Sequence, residues 1–202
     1  SSKTMKYSPK TKRGEESLNK ILNAAIAVIA EKGFNDASID EITTRAGVSH
    51  GLFYFYFNNK DELLNELVKR INRDMRHYLT LSTAGLPNRI LIEKRGFEAF
   101  FDWMYYNQYL FKILIEAESN NIELYKWHYM KLSERYSRKL LEAMNRGEIA
   151  KYDPEVLSFV LMGIADFIAK RYILWSNNKI PRHVVDEVSK ILERILNPNC
   201  NC

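Results

Sequence analysis

Residues 47–63 read GVSHGLFYFYFNNKDEL, and five of the eleven residues from Gly47 to Phe57 are aromatic. The segment that holds them is short, because Gly47 is a natural helix end and Ser49 and Asn59 are residues that begin helices. A short helix buries only one face against the core of a small domain. The aromatic side chains on its other faces are therefore expected to contact something outside the core.

A helical pattern lies on each side of this segment. Apolar residues recur at helical spacing through residues 15–32, which predicts a first amphipathic helix. The sequence Ser38-Ile39-Asp40-Glu41 is a capping box and predicts a short second helix that ends at Gly47. Ser49 begins the third helix, and residues 59–62 begin a fourth. Two short helices joined by a tight turn that includes Gly form a helix-turn-helix.

The remainder of the chain is also helical in pattern and shows no convincing strand. An aromatic-rich segment (89–119), a long helical pattern (122–145), a segment that is apolar almost all the way round (154–176) and a last amphipathic helix before Asn197 follow one another. We predict an all-α chain of about nine helices. Its predicted parts are a basic flexible arm (1–14), a three-helix helix-turn-helix domain (15–60), a linking helix (61–81), a larger C-terminal helical domain (82–197) and a tail (198–202).

The net charge of the chain is concentrated near its N-terminus. The first 14 residues contain no acidic residue and five basic ones, namely Lys3, Lys6, Lys10, Lys12 and Arg13. Because the whole chain has 30 basic and 25 acidic residues, the rest of it is electrically neutral. Two interpretations stay open: a solvated, disordered terminus, or an arm that follows the phosphate backbone of a nucleic acid.

No segment is typical of a membrane or secreted protein. The chain has no apolar run of the roughly 18 to 20 residues that a membrane span requires. Its basic N-terminus is not followed by the apolar segment of a signal peptide. Cys200 and Cys202 are the only cysteines, and two thiols in a tail give too few ligands for a metal site. We expect a cytoplasmic protein with reduced thiols, and the cysteines receive no functional role.

Nothing in the sequence indicates an enzyme, a cofactor or a metal site. There is no Gly-rich phosphate loop and no nucleophile paired with a base. The four histidines, His50, His77, His128 and His183, have spacings that fit no metal site. All of them except His50 are expected on the surface without a function.

The N-terminal helices and the GVSHGLFYFYFNNKDEL segment resemble the TetR family of transcriptional regulators. The close match covers residues 15 to about 67, and the remainder agrees in length and in the order of its helices. The resemblance implies a homodimer that binds a palindromic operator in double-stranded DNA, usually as a repressor. It also implies a ligand pocket in the C-terminal domain and a dimer interface formed by the last two long helices.

By position, the third helix resembles the recognition helix that enters the major groove. The DNA-binding residues implied by the resemblance are Ser38, Arg45, Ser49, His50, Gly51, Leu52, Tyr54, Phe55, Tyr56 and Lys60. His50 offers ring nitrogens to a base edge or a phosphate, whereas the tyrosines and Lys60 offer donors to phosphates. Leu52 replaces the polar residue common in the family, so Leu52 or Phe55 is expected to contact a thymine methyl group.

The aromatic residues of the third helix divide between the core and the DNA. Phe53 and Phe57 are four residues apart, and we assign both to the core. Tyr54, Phe55 and Tyr56 fall elsewhere around the helix, and we assign them to the DNA-binding face. For Tyr54 the alternative is packing of its ring against the first helix.

Aromatic side chains also dominate the start of the predicted C-terminal domain, with eight in the fifteen residues 97–111. Buried tyrosines need partners for their hydroxyl groups, so a set of them suggests a cavity with polar points in an apolar wall. The candidate ligand-binding residues are Trp103, Tyr106, Tyr129, Tyr136, Met162 and Asp166. Core packing is the alternative for each aromatic residue. For Asp166 the alternatives are an ion pair with Lys170, which is favoured, or a pair with Arg171.

The composition of these candidates favours a hydrophobic ligand over a sugar or an amino acid. Some members of the TetR family bind fatty acyl chains or acyl-CoA and others bind planar drugs, and a long aromatic-lined cavity would suit the first class. The apolar character of residues 154–176 on more than one face favours a homodimer. The alternative function is a DNA-binding architectural or adaptor protein controlled by a protein partner.

Overall fold

The computed structural model describes residues 5–199, and these residues form nine α-helices, one π-helical segment and no strand. The helices are α1 (Lys12–Lys32), α2 (Ile39–Ala46), α3 (His50–Tyr56), α4 (Lys60–Thr83), α5 (Arg89–Tyr106), α6 (Gln108–Asn120), α7 (Ile122–Asn145), α8 (Pro154–Ala169) and α9 (Arg182–Leu196). The π-helical segment, Lys170–Leu174, continues α8. The predicted all-α fold is confirmed. Cys200 and Cys202 lie outside the described residues.

Side chains at the helix ends fix the helix-turn-helix of α2 and α3. The Ser38 hydroxyl accepts a hydrogen bond from the backbone N–H of Glu41 at 3.0 Å, and Ser49 does the same for the first turn of α3 at 3.2 Å. Between the two helices Gly47 has a φ of 69°, a left-handed conformation that a side chain would strain. In a capping box the Glu41 carboxylate would accept from the backbone at the start of α2. It accepts instead from the Lys32 ammonium at 2.8 Å.

The first helix begins earlier than predicted, at Lys12 instead of residue 15. The Thr11 hydroxyl accepts from the backbone N–H of Gly14 at 3.0 Å and so caps α1. The last part of the predicted flexible arm is therefore the first turn of α1. Residues 5–11, called the arm below, are the described non-helical part.

The chain divides into two compact units that are interleaved along the sequence. The first consists of the residues up to Asn72 together with Tyr109–His128, and the second of Arg73–Gln108 together with the residues from Tyr129 onward. The linear domain boundaries expected from the sequence stay predictions.

The core of the first unit is built from the faces that the helical spacing indicates. Among its buried residues are Leu18, Ile21, Ile42, Phe53, Phe57 and Leu64. The backbone N–H of Phe34 donates to Glu116 at 2.7 Å, which ties α6 to the end of α1. The side chain of Asn72 donates to the carbonyl of His128 at 3.1 Å and also bonds the His128 ring. His128 is buried, so its expected surface position is wrong.

The second unit contains its own apolar core. Buried residues from four of its helices include Phe97, Phe101, Met104, Leu140, Leu161 and Leu192. Asp153 caps α8 by accepting from the backbone N–H of Val156 at 2.9 Å, and Pro154 occupies the first turn as predicted. No helix within residues 5–199 is long and apolar enough to cross a membrane.

Candidate nucleic-acid interface and ligand site

The N-terminal turn of α3 presents three candidate base-contacting residues at the surface. His50 and Gly51 are exposed, and Ser49 is exposed although its hydroxyl caps the helix. A Cβ built on Gly51 would meet only the Ser49 hydroxyl, at 3.7 Å, so the backbone there is accessible. Leu52 follows and is half-buried. This turn therefore offers an imidazole and open backbone to a partner surface.

His50 contacts a carboxylate at the start of α2. Its Nε2 lies against Oδ1 of Asp40, and the two side chains are 53% and 78% exposed. The carboxylate orients the imidazole, because it gives one ring nitrogen a fixed partner. It also places a negative charge beside the face that would approach DNA phosphates. The sequence had identified Asp40 only as part of a helix cap.

Tyr54 and Phe55 lie on the exposed face of α3. Their side chains are 44% and 49% exposed. The Phe55 ring stacks on Tyr7 of the arm, with 4.9 Å between ring centroids and 19° between ring planes. The Tyr54 ring meets Phe53 edge-on at 5.4 Å. The exposed face of α3 is therefore aromatic, and one of its rings is already in contact with another part of the chain.

Tyr56 is buried, which corrects the assignment of its side chain to the DNA-binding face. It is 3% exposed, and its hydroxyl donates to the carbonyl of Gly14 at 3.3 Å. Phe53, Tyr56 and Phe57 are related by helical spacings of three and four residues, so they share one face. The sequence-based assignment is wrong because it considers only the residues that are four apart.

The arm packs against the C-terminal end of α3. The backbone N–H of Lys6 donates to the carbonyl of Tyr56 at 2.9 Å, and the Lys6 ammonium donates to the carbonyl of Tyr54 at 3.0 Å. Together with the aromatic stack on Phe55, these bonds hold the arm against the candidate recognition helix. The Lys6 ammonium and its acceptor are 48 residues apart in sequence, so local sequence patterns could not predict this contact.

The polar candidates on α2 already have partners in the protein. The guanidinium of Arg45 donates to both carboxylate oxygens of Glu31, at 2.8 and 3.0 Å. The hydrogen bond from Arg45 and its positive charge lower the pKa of Glu31 below its usual value. The hydroxyl of Ser38 serves as the cap of α2. DNA contacts by Ser38 and Arg45 stay predictions, and the observed roles are structural.

Lys60 also has partners inside its own unit. Its ammonium donates to the carbonyls of Phe34 at 2.7 Å and Asn35 at 3.3 Å, and it lies 4.7 Å from the centre of the Phe34 ring. These carbonyls follow the end of α1, where free backbone acceptors need donors. The contacts indicate a stabilising role for Lys60, and its phosphate contact stays a prediction.

Two candidate ligand-binding residues, Trp103 and Tyr106, line an open groove of about 380 Å³ in the second unit. The remaining lining residues are Asn107 at the end of α5 and Asp74, His77, Tyr78 and Leu81 on one face of α4. Trp103 is 7% exposed, whereas Tyr106 is 61% exposed. The ammonium of Lys179 lies 5.2 Å from the centre of the Tyr106 ring. Aromatic walls and a nearby cation thus meet at this groove.

Tyr129 and Asp166 bind each other. The Tyr129 hydroxyl donates to Oδ2 of Asp166 at 2.6 Å. Burial raises the pKa of Asp166 above its usual value, although this hydrogen bond and the charge of Lys170 act in the opposite direction. Lys170 does not form the favoured ion pair with Asp166, because its ammonium lies over the Phe167 ring at 4.7 Å. Met162, one turn before Asp166 on α8, is half-buried.

Tyr136 binds Glu93, a residue that the sequence did not single out. Its hydroxyl donates to Oε1 of Glu93, and Arg89 donates to the same carboxylate at 3.4 and 3.5 Å. Burial raises the pKa of Glu93 although Arg89 acts against it, and burial together with the Glu93 charge raises the pKa of Tyr136. The Nε of Arg89 has no hydrogen-bond partner among the described residues.

The six candidate ligand residues therefore lie in three places. Trp103 and Tyr106 line the groove, Tyr129 and Asp166 form a pair near Met162, and Tyr136 belongs with Glu93. Arg89 and Glu93 are four residues apart, a spacing at which the sequence could have indicated an ion pair. Within the described part of the chain, no group of three or more His, Cys, Asp and Glu residues could hold a metal ion.

Residues 21–67 match the family described as bacterial regulatory proteins, tetR family. The matched range includes all of α2 and α3. Over most of its length the chain is also similar to the HTH-type transcriptional regulator YdgC of Bacillus subtilis. The two are 25% identical over 187 residues, which is 89% of this chain and 92% of the relative.

Two solved structures extend the similarity to the whole fold. The fatty acid degradation regulator FadR from Bacillus halodurans superposes with a TM-score of 0.79 at 20% identity, over 92% of this chain and 96% of that one. The regulator FadR from Bacillus subtilis in complex with stearoyl-CoA superposes with a TM-score of 0.77 at 20% identity, over 87% of this chain and 97% of that one. At this identity the likeness concerns the fold.

Proposed function

The chain belongs to the TetR family of bacterial transcriptional regulators, and we propose that it is a homodimeric repressor that a hydrophobic small molecule releases from its operator. The operator is a palindromic site in double-stranded DNA, and fatty acyl-CoA is the effector class. The function consists of two coupled binding events and no catalysed reaction.

The exposed surface of α3 supports DNA binding. An α-helix with its side chains is about 10–12 Å across, which fits a major groove about 12 Å wide. Its N-terminal turn carries His50 and Gly51, and its exposed side carries Tyr54 and Phe55. An imidazole can hydrogen-bond to a base edge, and a phenol can pack on sugar and donate to a phosphate. This exposed face is the observation on which the proposal rests.

An apolar stripe on the second unit supports the homodimer. The exposed residues along it are Val156, Phe159, Val160 and Phe167 on α8, followed by Trp175. Phe167 and Trp175 are 66% and 70% exposed. Monomeric proteins seldom expose several large apolar side chains on one face. Gly163 lies within the stripe and has no atom within 4 Å of a Cβ built on it, which leaves room for a partner helix. A two-fold axis would bury this stripe against its own copy.

The groove beside Trp103 and Tyr106 is the proposed site for the apolar part of the effector. Its volume of about 380 Å³ lies in the range of small-molecule sites, and three of its seven lining residues are Tyr or Trp. The similarity in fold to a regulator solved with stearoyl-CoA makes acyl-CoA the first class to test. Lys179, over the Tyr106 ring, is a cation that could face an anionic headgroup.

The fourth helix is the proposed connection between effector and DNA. Its first residue, Lys60, follows α3 closely in sequence, and its later residues Asp74, His77 and Tyr78 line the groove. A ligand that moves this groove-lining face would change the position of α3 through the same helix. Two recognition helices in a dimer must be separated by about 34–36 Å to reach successive major grooves, so a small shift would release the operator.

Capture of genomic DNA tests the DNA-binding part of the proposal. Fragmented DNA from the source organism is passed over the immobilised protein at near-physiological salt, and the retained fragments are sequenced. We expect one or a few palindromic sites to be enriched. A variant with His50→Ala and Tyr54→Ala, carried through the same procedure, should lose the enrichment. Retention of every fragment without preference by the wild-type protein would contradict a specific operator.

Organic extraction of the purified protein, followed by mass spectrometry, tests the effector part. We expect an acyl-CoA or another lipid-like molecule to be recovered, or to bind when a series of acyl-CoA esters is titrated. A protein that binds its operator but binds none of these molecules would favour the alternative of control by a protein partner.

A further inference from the structure

We propose that the arm, residues 5–11, and the first turn of α1 together form a docked part of the DNA-binding surface, with Lys10 of the arm and Lys12 and Arg13 of α1 against phosphates beside the recognition helix. This inference rests on the proposed function, because it adds a second contact region to the same interface. It assigns a role to part of residues 1–14, the segment in which the net positive charge of the chain is concentrated.

The first step is that the arm has a defined place. The backbone and the ammonium of Lys6 donate to two carbonyls of α3, at 2.9 and 3.0 Å, and Tyr7 stacks on Phe55 at 4.9 Å. Tyr7 and Phe55 are nevertheless 57% and 49% exposed. The stack therefore leaves an exposed aromatic surface beside α3.

The second step concerns charge. The last carbonyls of a helix carry partial negative charge and would repel a phosphate. The Lys6 ammonium lies on one of these carbonyls, that of Tyr54, and so offsets the repulsion. Lys10, Lys12 and Arg13 are exposed, and no carboxylate within residues 5–199 forms an ion pair with them. These three cations are therefore available to an external anion.

The third step is distance. The first and last residues of α3 are about 9 Å apart along the helix axis, and this distance is less than the width of a major groove. An element attached to the C-terminal carbonyls of α3 therefore lies within one groove width of His50. The Gly14 carbonyl, next to Arg13, accepts from the Tyr56 hydroxyl at 3.3 Å, so the start of α1 also lies beside this end of α3. The strands that border the groove carry a phosphate at each nucleotide, and cations near this end would meet phosphate and not base edges.

Salt-dependent binding to DNA tests the inference in the full-length protein. The triple variant Lys10→Ala/Lys12→Ala/Arg13→Ala is compared with the wild type on the captured operator and on a mixed-sequence duplex of about 30 bp, long enough for two successive major grooves. We expect the slope of log K against log salt to flatten by roughly 0.9 for each phosphate that the variant leaves unpaired, on both duplexes. Lys151→Ala, which removes an exposed lysine of the second unit, serves as the control and should leave the slope unchanged.

A second pair of variants tests whether docking matters. Tyr7→Ala removes the ring that stacks on Phe55, whereas Tyr7→Phe keeps it. We expect Tyr7→Ala to weaken binding roughly two- to tenfold and Tyr7→Phe to bind as the wild type does. Equal binding by Tyr7→Ala, with a flattened slope in the triple variant, would mean that the phosphate contacts do not depend on docking of the arm and would overturn the inference.

The outcomes separate this inference from the proposed function. If the wild type binds the operator with a steep slope and the triple variant has the same slope, Lys10, Lys12 and Arg13 make no phosphate contacts and only the inference fails. If the wild type binds neither duplex, the proposed function fails and the inference fails with it.

Discussion

His50 at the start of α3 contacts the carboxylate of Asp40 at the start of α2. The contact joins the two helices of the helix-turn-helix at the edge where bases would be read, and it gives the imidazole a fixed orientation. The negative charge of the same carboxylate repels DNA phosphates. The two residues are therefore expected to have opposite effects on DNA binding.

We predict that His50→Ala changes sequence preference, whereas Asp40→Asn increases affinity for all sequences. Loss of a base contact costs about 1–3 kcal/mol at one position of each half-site, and loss of a nearby negative charge helps every duplex alike. Selection from a random duplex pool, followed by sequencing, measures both effects. His183→Ala, at an exposed histidine of α9, is the control. An unchanged preference in His50→Ala would show that its imidazole reads no base.

Tyr54 and Tyr56 provide a matched test of which face of α3 is free. Tyr56→Phe removes the hydrogen bond to Gly14 and should lower the free energy of unfolding by about 0.5–1.5 kcal/mol without changing DNA affinity. Tyr54→Phe should weaken binding to all duplexes and leave stability unchanged. Chemical denaturation and anisotropy titrations check these effects. Weaker DNA binding by Tyr56→Phe at unchanged stability would contradict the buried position of its hydroxyl.

Lys60→Ala should destabilise the first unit. Its ammonium donates to the carbonyls of Phe34 and Asn35, and a hydrogen bond from a charged donor contributes about 1.5–3 kcal/mol. The midpoint of urea unfolding measures this destabilisation, with Lys112→Ala as an exposed control in the same unit. Unchanged stability combined with uniformly weaker DNA binding would instead place this ammonium on a phosphate.

The stability of the protein should depend on the ionisation of Glu93. Burial raises its folded pKa above the usual 4.5, so the folded protein keeps a proton that the unfolded chain has lost. Between pH 4.5 and the folded pKa, unfolding therefore releases a proton. The free energy of unfolding of the wild type should decrease as pH rises through this window. Arg89, Tyr136 and Lys139 face this carboxyl and act against the rise.

The variant Glu93→Gln lacks this titration. Its unfolding free energy minus that of the wild type should therefore become more positive across the same pH window and level off above it. Denaturant unfolding at a series of pH values measures the difference. A difference that stays constant with pH would show that Glu93 titrates normally in the folded protein.

Local signals in the sequence were sufficient for the helices and their caps. Ser38, Gly47, Ser49 and Asp153 perform the predicted roles, because a cap depends on residues within one turn. The exposed aromatic face of α3 was predicted for the same reason, with Tyr56 as the exception at the i+3 position.

Partners that are distant in sequence could not be predicted in this way. Lys60 binds carbonyls 25 and 26 residues earlier, Tyr136 binds a carboxylate 43 residues earlier, and the arm binds α3 from 48 residues away. Asp166 had a nearby candidate partner in Lys170, yet it accepts from Tyr129, 37 residues earlier. Periodicity identifies the face on which such a residue lies and does not identify the residue packed against that face.

Release of the operator by an acyl-CoA tests the proposed repressor most directly. Stearoyl-CoA is titrated into the complex of the protein with its fluorescently labelled captured operator, and fluorescence anisotropy reports the bound fraction. The predicted result is saturable release by stearoyl-CoA, no release by coenzyme A alone, and a weaker response when the groove variant Tyr106→Ala replaces the wild type. Tyr109→Ala, an exposed tyrosine outside the groove lining, should respond as the wild type does. Undiminished operator binding across acyl-CoA esters of different chain lengths would contradict the proposed effector class.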